Sequence, residues 1–197
     1  LLDSAKIQEQ DAFYENKRRA RDHEELVKPL YEEEDVEKTL RRFKVVPYDT
    51  PTAIDENTIV YFTDAGHILG SAAVHLSITE NTKTTRITFS GDVGRYGDLL
   101  LRAPQTFPQA DYILIESTYG DRLHEVVIPP EEALRQIIEE TCIKHGGKVV
   151  IPAFSVGRTQ ELLYALNALE VDGKLPNVPY YVDSPLSSKA TAVIKSH

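Results

Sequence analysis

Between residues 43 and 90 the chain is organised in short apolar runs. FKVVPY, TIVYFTD, SAAVHLSI and TTRITFS are rich in β-branched and aromatic residues and are bounded by turn formers. They predict strands in quick succession, with the ENTK segment as the hairpin turn between the third and the fourth. Ahead of them lies SAKIQEQDAFYENKRRARD, charged and free of glycine and proline, which reads as a helix; Glu15 precedes Arg19 by four residues, a favourable pair. After Pro29, EEDVEKTLRRF reads as a second helix, acidic first and basic last, as the macrodipole prefers.

Beyond residue 100 the rhythm changes. A crossover containing Pro104 and Pro108 leads to the apolar strand DYILIE. Helix EEALRQIIEETCIKH, strand GKVVIPAF, helix GRTQELLYALNAL, strand VPYYVD and helix SSKATAVIKSH follow. That alternation is a βαβ pattern and predicts a parallel sheet, so the fold class is α/β. The change from meander to alternation places a domain boundary at residues 125–145, dividing the chain into 1–140 and 141–197.

Composition narrows the function classes. The 197 residues are 41% hydrophobic and 27% charged, as in a globular domain, and no apolar run approaches the ~20 residues of a membrane span. The lone Cys142 has no partner for an internal disulfide and suits a reducing, cytoplasmic compartment. A net charge of -9 argues against a general nucleic-acid coat, but leaves room for a local site whose positive charge comes from a metal. KRRAR at 17–21 is better read as a solvated helix face than as a phosphate grip.

The candidate chemistry follows from strand direction. If TIVYFTD runs upward, it delivers His67 at the top; SAAVHLSI runs down, and TTRITFS runs up to SGDVGR and Asp92. A crossover that returns the chain to the bottom makes DYILIE run up as well, bringing Glu116 to the same rim. Each of the three lies in or beside a glycine-containing loop that reads as flexible, a usual location for site residues on a rigid scaffold. Imidazole and carboxylate together suit zinc. Taken singly, SGDVGR is an ordinary turn and a loop histidine an ordinary bystander; their convergence is what points to a metal. His75 alternates with apolar neighbours and reads as structural, and His23, His124, His145 and His197 have no partner at ligand spacing. His67 and Asp92 fall short of the three protein ligands of a catalytic zinc.

Two later junctions share another chemistry. PAFSVGRTQ passes from strand to helix through Ser155 and Gly157 with Arg158 in the first turn, and VDSPLSSKAT does so through Asp183 and Ser184. Serine capping explains each alone; two such junctions at neighbouring strand ends favour an anion-binding crevice.

In this order, AGHILGSA, SGDVGR, ESTYGDR, PAFSVGRTQELL and VDSPLSSKAT resemble the metallo-β-lactamase-fold nucleases that carry a β-CASP domain. These are the cleavage-and-polyadenylation endonuclease and its bacterial and archaeal RNA-processing relatives. KPLYEEEDVEKTLRRFKVVPYD also matches the stretch before the histidine motif. The resemblance implies part of a metallo-β-lactamase-type αββα domain followed by the start of a parallel-sheet β-CASP domain. It implies that His67 ligates one zinc, that Asp92 bridges two, and that Glu116 helps position or protonate a catalytic group beside them. Ser155, Arg158 and Ser184 then fall in segments lining a cleft for single-stranded RNA.

The family's HxHxDH signature and two later β-CASP histidines have no counterpart here. With the lack of methionine and the start at Leu1-Leu2-Asp3, this leads to the expectation of an internal piece of a longer zinc-dependent RNA phosphodiesterase, itself inactive. A thioester or lactone hydrolase on the same scaffold and a non-catalytic subunit of a processing complex are the alternatives. PAFSVGRTQ and DSPLSS speak against the first, the intact His67 and Asp92 against the second. Exposed strand edges leave a homodimer or a processing complex open as partners.

Overall fold

The structure is a computed structural model and describes residues 1–123 and 128–196. His124 and His197, and the start of the 125–145 boundary window, lie outside the described residues. The chain forms two compact units, Leu1–Val46 and Pro47–His197.

The first unit is a pair of helices, α1 (Leu2–Asp22) and α2 (Glu33–Leu40). Ala5 and Val36 are the buried residues of these helices, so polar contacts carry much of the pairing. Asn16 exchanges two hydrogen bonds of 2.8 Å with the backbone of Val27, and Glu9 accepts from the Glu33 N–H at 2.8 Å. Within KRRAR, Arg19 pairs with Glu15 at 2.9 Å and Arg18 bonds the same carboxylate, as a solvated helix face would.

The second unit begins with a five-stranded sheet in sequential order: β1 (Thr52–Ala53), β2 (Thr58–Asp64), β3 (Ala72–Glu80), β4 (Lys83–Phe89) and β5 (Tyr112–Leu114). The first four strands are antiparallel and β5 is parallel to β4. Strands β2, β4 and β5 therefore run the same way and end on one rim. FKVVPY is not a strand. Pro47 has no N–H to offer a ladder, Asp49 turns the chain at φ 57°, and the two-residue β1 takes the edge instead.

His75 is buried on β3. Its Nε2 lies 2.9 Å from the Thr63 hydroxyl and its Nδ1 2.8 Å from that of Thr88, so both ring nitrogens are satisfied within the sheet. Burial holds its pKa below the ordinary histidine value, which favours the neutral ring. The structural reading of His75 agrees with this setting.

A hydrophobic core lies between helices α3 (Pro130–Ile138) and α4 (Arg158–Val171). Leu134, Ile138, Ala165, Leu166, Leu169 and Leu175 bury one another there. A π-helical stretch, Glu139–Lys144, extends α3, and α5 (Pro185–Lys195) follows. The parallel sheet predicted around these helices is not formed among the described residues: GKVVIPAF and VPYYVD enter no ladder. Val150, Phe154 and Tyr181 are 88%, 85% and 88% exposed, as befits strand-like sequence with no neighbouring strand to pack against. Among the described residues the structure is thus mixed α/β, with one sheet.

Candidate metal and phosphate site

His67 owes its position to a tightly built turn. The Ser71 hydroxyl accepts the N–H groups of His67 and Ile68 at 3.0 and 3.2 Å, and the Ser71 N–H returns to the Ile68 carbonyl at 3.0 Å. Gly66 adopts φ +63°, and a Cβ there would lie 2.7 Å from the Arg102 carbonyl oxygen. On its other side Gly94 approaches so closely that an added Cβ would lie 1.7 Å from the Gly66 oxygen. The Gly94 N–H donates to the Ala65 carbonyl at 2.8 Å. The glycines thus serve close packing of backbone on backbone, where the sequence alone suggests a flexible loop. This packing ties the loop after β2 to the loop after β4.

The consequence is the convergence the strand directions require. His67 Nε2 and Asp92 Oδ2 are 3.8 Å apart, with side chains 44% and 75% exposed. Glu116, just beyond β5, points back to the same loop: its Oε1 accepts the Val93 N–H at 2.6 Å and its Oε2 the Thr118 hydroxyl at 2.9 Å. Its own N–H is anchored on the Ser90 hydroxyl at 3.1 Å. The Val93 hydrogen bond, then that from Thr118, hold the Glu116 carboxyl below the usual range against a small opposing effect of burial; His67 adds to the lowering. These two hydrogen bonds favour the ionised carboxylate. An open groove of about 720 Å³ borders Phe89, Asp92, Leu114 and Glu116.

Two atoms that each lie about 2.0–2.2 Å from one zinc are at most ~4.4 Å apart, so the 3.8 Å between His67 and Asp92 falls within its bite. Glu116 is engaged with Val93 and Thr118 and stands beside that pair. Among the described residues no group of three or more His, Cys, Asp or Glu side chains is gathered to hold a metal. His67 and Asp92 therefore fit zinc as a partial ligand set. His145 pairs with Glu140 at 2.9 Å.

The two serine junctions also meet. Ser155 and Ser184 hydroxyls lie 3.1 Å apart, and Ser184 caps α5 by accepting the Ser187 N–H at 3.1 Å. Gln160, 3% exposed, unites them: its amide donates to the Ser155 carbonyl, the Ser187 carbonyl and the Thr191 hydroxyl, and its oxygen accepts the Gly157 N–H at 2.8 Å. Arg158 reaches Glu161, and so does Arg95 of SGDVGR at 3.1 Å. Sequence reasoning missed Gln160, Glu161, Arg95 and Ser71. The i,i+3 spacing of Arg158 and Glu161 was a visible signal; the burial of Gln160 had none.

No family model matches the chain. It is 39% identical over 171 residues to an RNase J-like protein of Methanocaldococcus jannaschii, covering 85% of this chain and 39% of that protein. It is 35% identical over 167 residues to ribonuclease TTHA0252 of Thermus thermophilus, covering 84% of this chain and 36% of the relative. With the cleavage and polyadenylation specificity factor subunit 3-I of Arabidopsis thaliana the identity is 35% over 172 residues, 85% of this chain and 24% of the relative. The chain thus spans less than two fifths of the length of these curated relatives. With matches of this kind along some 85% of its length, and with the His67, Asp92 and Glu116 motifs on one rim, the chain belongs to the β-CASP metallo-β-lactamase nuclease family.

Proposed function

We propose that this chain is the metal- and RNA-facing portion of a zinc-dependent RNA phosphodiesterase. The observation that carries the reading is the pairing of His67 Nε2 with Asp92 Oδ2 at 3.8 Å, on a rim shared with Glu116. The names of two relatives, both ribonucleases, support the RNA substrate. His67 and Asp92 would hold zinc, with Asp92 shared between two ions. Bound zinc supplies an acidified water and neutralises phosphate charge.

The chain's own residues do the rest. Glu116 orients the Asp92 loop through the Val93 N–H and would help position or protonate a catalytic group beside the metal. Ser155, Ser184 and Arg158 offer two hydroxyls and a guanidinium to successive phosphates of a single strand. In this reading residues 1–140 are the metallo-β-lactamase-like part and 141–197 the start of the β-CASP part, and the protein works in the reducing cytoplasm. Two ligands do not close a zinc site, so the 197-residue chain binds RNA without cutting it.

The test is incubation of the purified chain and zinc with end-labelled single-stranded RNA. Retention of the RNA at low salt without cleavage is expected. EDTA-sensitive cleavage overturns the claim of inactivity, and failure to retain any RNA overturns the choice of substrate.

A further inference from the structure

Glu161 lies in the first turn of α4, its side chain 17% exposed, and two guanidiniums meet on its Oε2. One comes from Arg95, at 3.1 Å, in the loop that carries Asp92; the other is Arg158, at 2.5 Å. The two arginines differ in what else holds them. Arg95 also contacts Asp98 at 3.3 Å, and the Asp98 side chain is 4% exposed. The other Asp98 oxygen accepts the N–H groups of Leu100 and Leu101 at 2.9 and 3.0 Å, which fixes that carboxylate to its turn. Among the described residues Arg158 has Glu161 as its one ionic partner.

The charges in this cluster balance: two arginines against Glu161 and Asp98. The balance is asymmetric to disturbance. If Arg95 left, the enclosed Asp98 would lose its cation, which is costly. If Arg158 left, Glu161 would still have Arg95. Arg158 is therefore the detachable member, and at 56% exposure it is within reach of solvent. A guanidinium takes a phosphate in the same forked geometry as a carboxylate, so an arriving phosphate can replace Glu161 as the partner of Arg158, while Arg95 stays between Glu161 and Asp98.

We propose that Glu161 is a positioning residue that holds Arg158 in reserve for an RNA phosphate and, through Arg95, links that exchange to the loop bearing Asp92. The proposal rests on the RNA reading above. Because the Arg158–Glu161 bridge must open for RNA to bind, the carboxylate competes with the phosphate. The link through Arg95 and Gly94 gives the exchange a route to Asp92 that neither junction supplies alone.

The experiment is fluorescence-anisotropy titration of 5′-labelled single-stranded RNA, at several salt concentrations, with the wild-type chain, E161Q, R158A and the double variant. E161Q should bind roughly two- to fivefold more tightly than wild type, the value of one exposed bridge. R158A should bind more weakly, with a salt slope shallower by about 0.7, one phosphate contact on a single strand. The double variant should show no gain over R158A. A gain that persists in the double variant, or no gain in E161Q, overturns the proposal, because the effect would then be general charge or nothing. No RNA binding by any of the four proteins overturns the RNA reading itself. Should E161Q not fold, Glu161→Asp withdraws the carboxylate by one methylene at constant charge, and the same ordering is expected.

Discussion

Gly94 has no room for a side chain, and through it the His67 and Asp92 loops are held in register. The smallest substitution tests this. Gly94→Ala puts a methyl group 1.7 Å from the Gly66 oxygen, so the two loops must separate. A loss of about 2–3 kcal/mol in urea unfolding is expected, at the upper end of what overpacking costs. The His67 amide resonance should move with it. Unchanged stability and an unmoved His67 signal would mean that the approach is not a constraint. At this scale the residue types were legible in the sequence: an imidazole and two acids at strand ends. Gly94 itself was not, because SGDVGR reads as an ordinary turn until the partner backbone is known.

At the scale of elements, legibility followed the source of each element's stability. The β2–β3–β4 meander was readable because its local alternation and its Asn81 turn at φ 55° specify the pairing of adjacent strands. Helix α1 was readable from a charged run free of glycine and proline, and α2 from its acidic start and basic end. GKVVIPAF and VPYYVD carry the same strand-forming residues but form no ladder, since a strand depends on neighbours that its own sequence does not name. The junctions of α4 and α5 are held by a residue no pattern marks. Gln160→Leu keeps the volume but removes the one group bonded to Gly157, Ser155, Ser187 and Thr191. A cost of about 2–3 kcal/mol is expected from the buried groups left unsatisfied. Gln136→Leu, on the exposed face of α3, should change stability by less than about 0.5 kcal/mol. Equal unfolding midpoints for the two variants would remove Gln160 from its role.

At the scale of the whole molecule, an acidic chain needs a local source of positive charge to meet RNA. With a net charge of -9, that charge would come, on the proposed reading, from bound metal and from a few placed arginines such as Arg158. Among the described residues no helix is long and apolar enough to cross a membrane. The account therefore turns on whether His67 and Asp92 bind a metal together. The direct measurement is zinc titration of the ¹⁵N-labelled chain, followed through the histidine ring nitrogens by NMR. The ring of His67 should shift, and the shift should vanish in Asp92→Asn, while His75, closed between Thr63 and Thr88, stays where it is. His145, 2.9 Å from Glu140, offers zinc a rival imidazole–carboxylate pair. A shift at His145 with none at His67 would contradict the account.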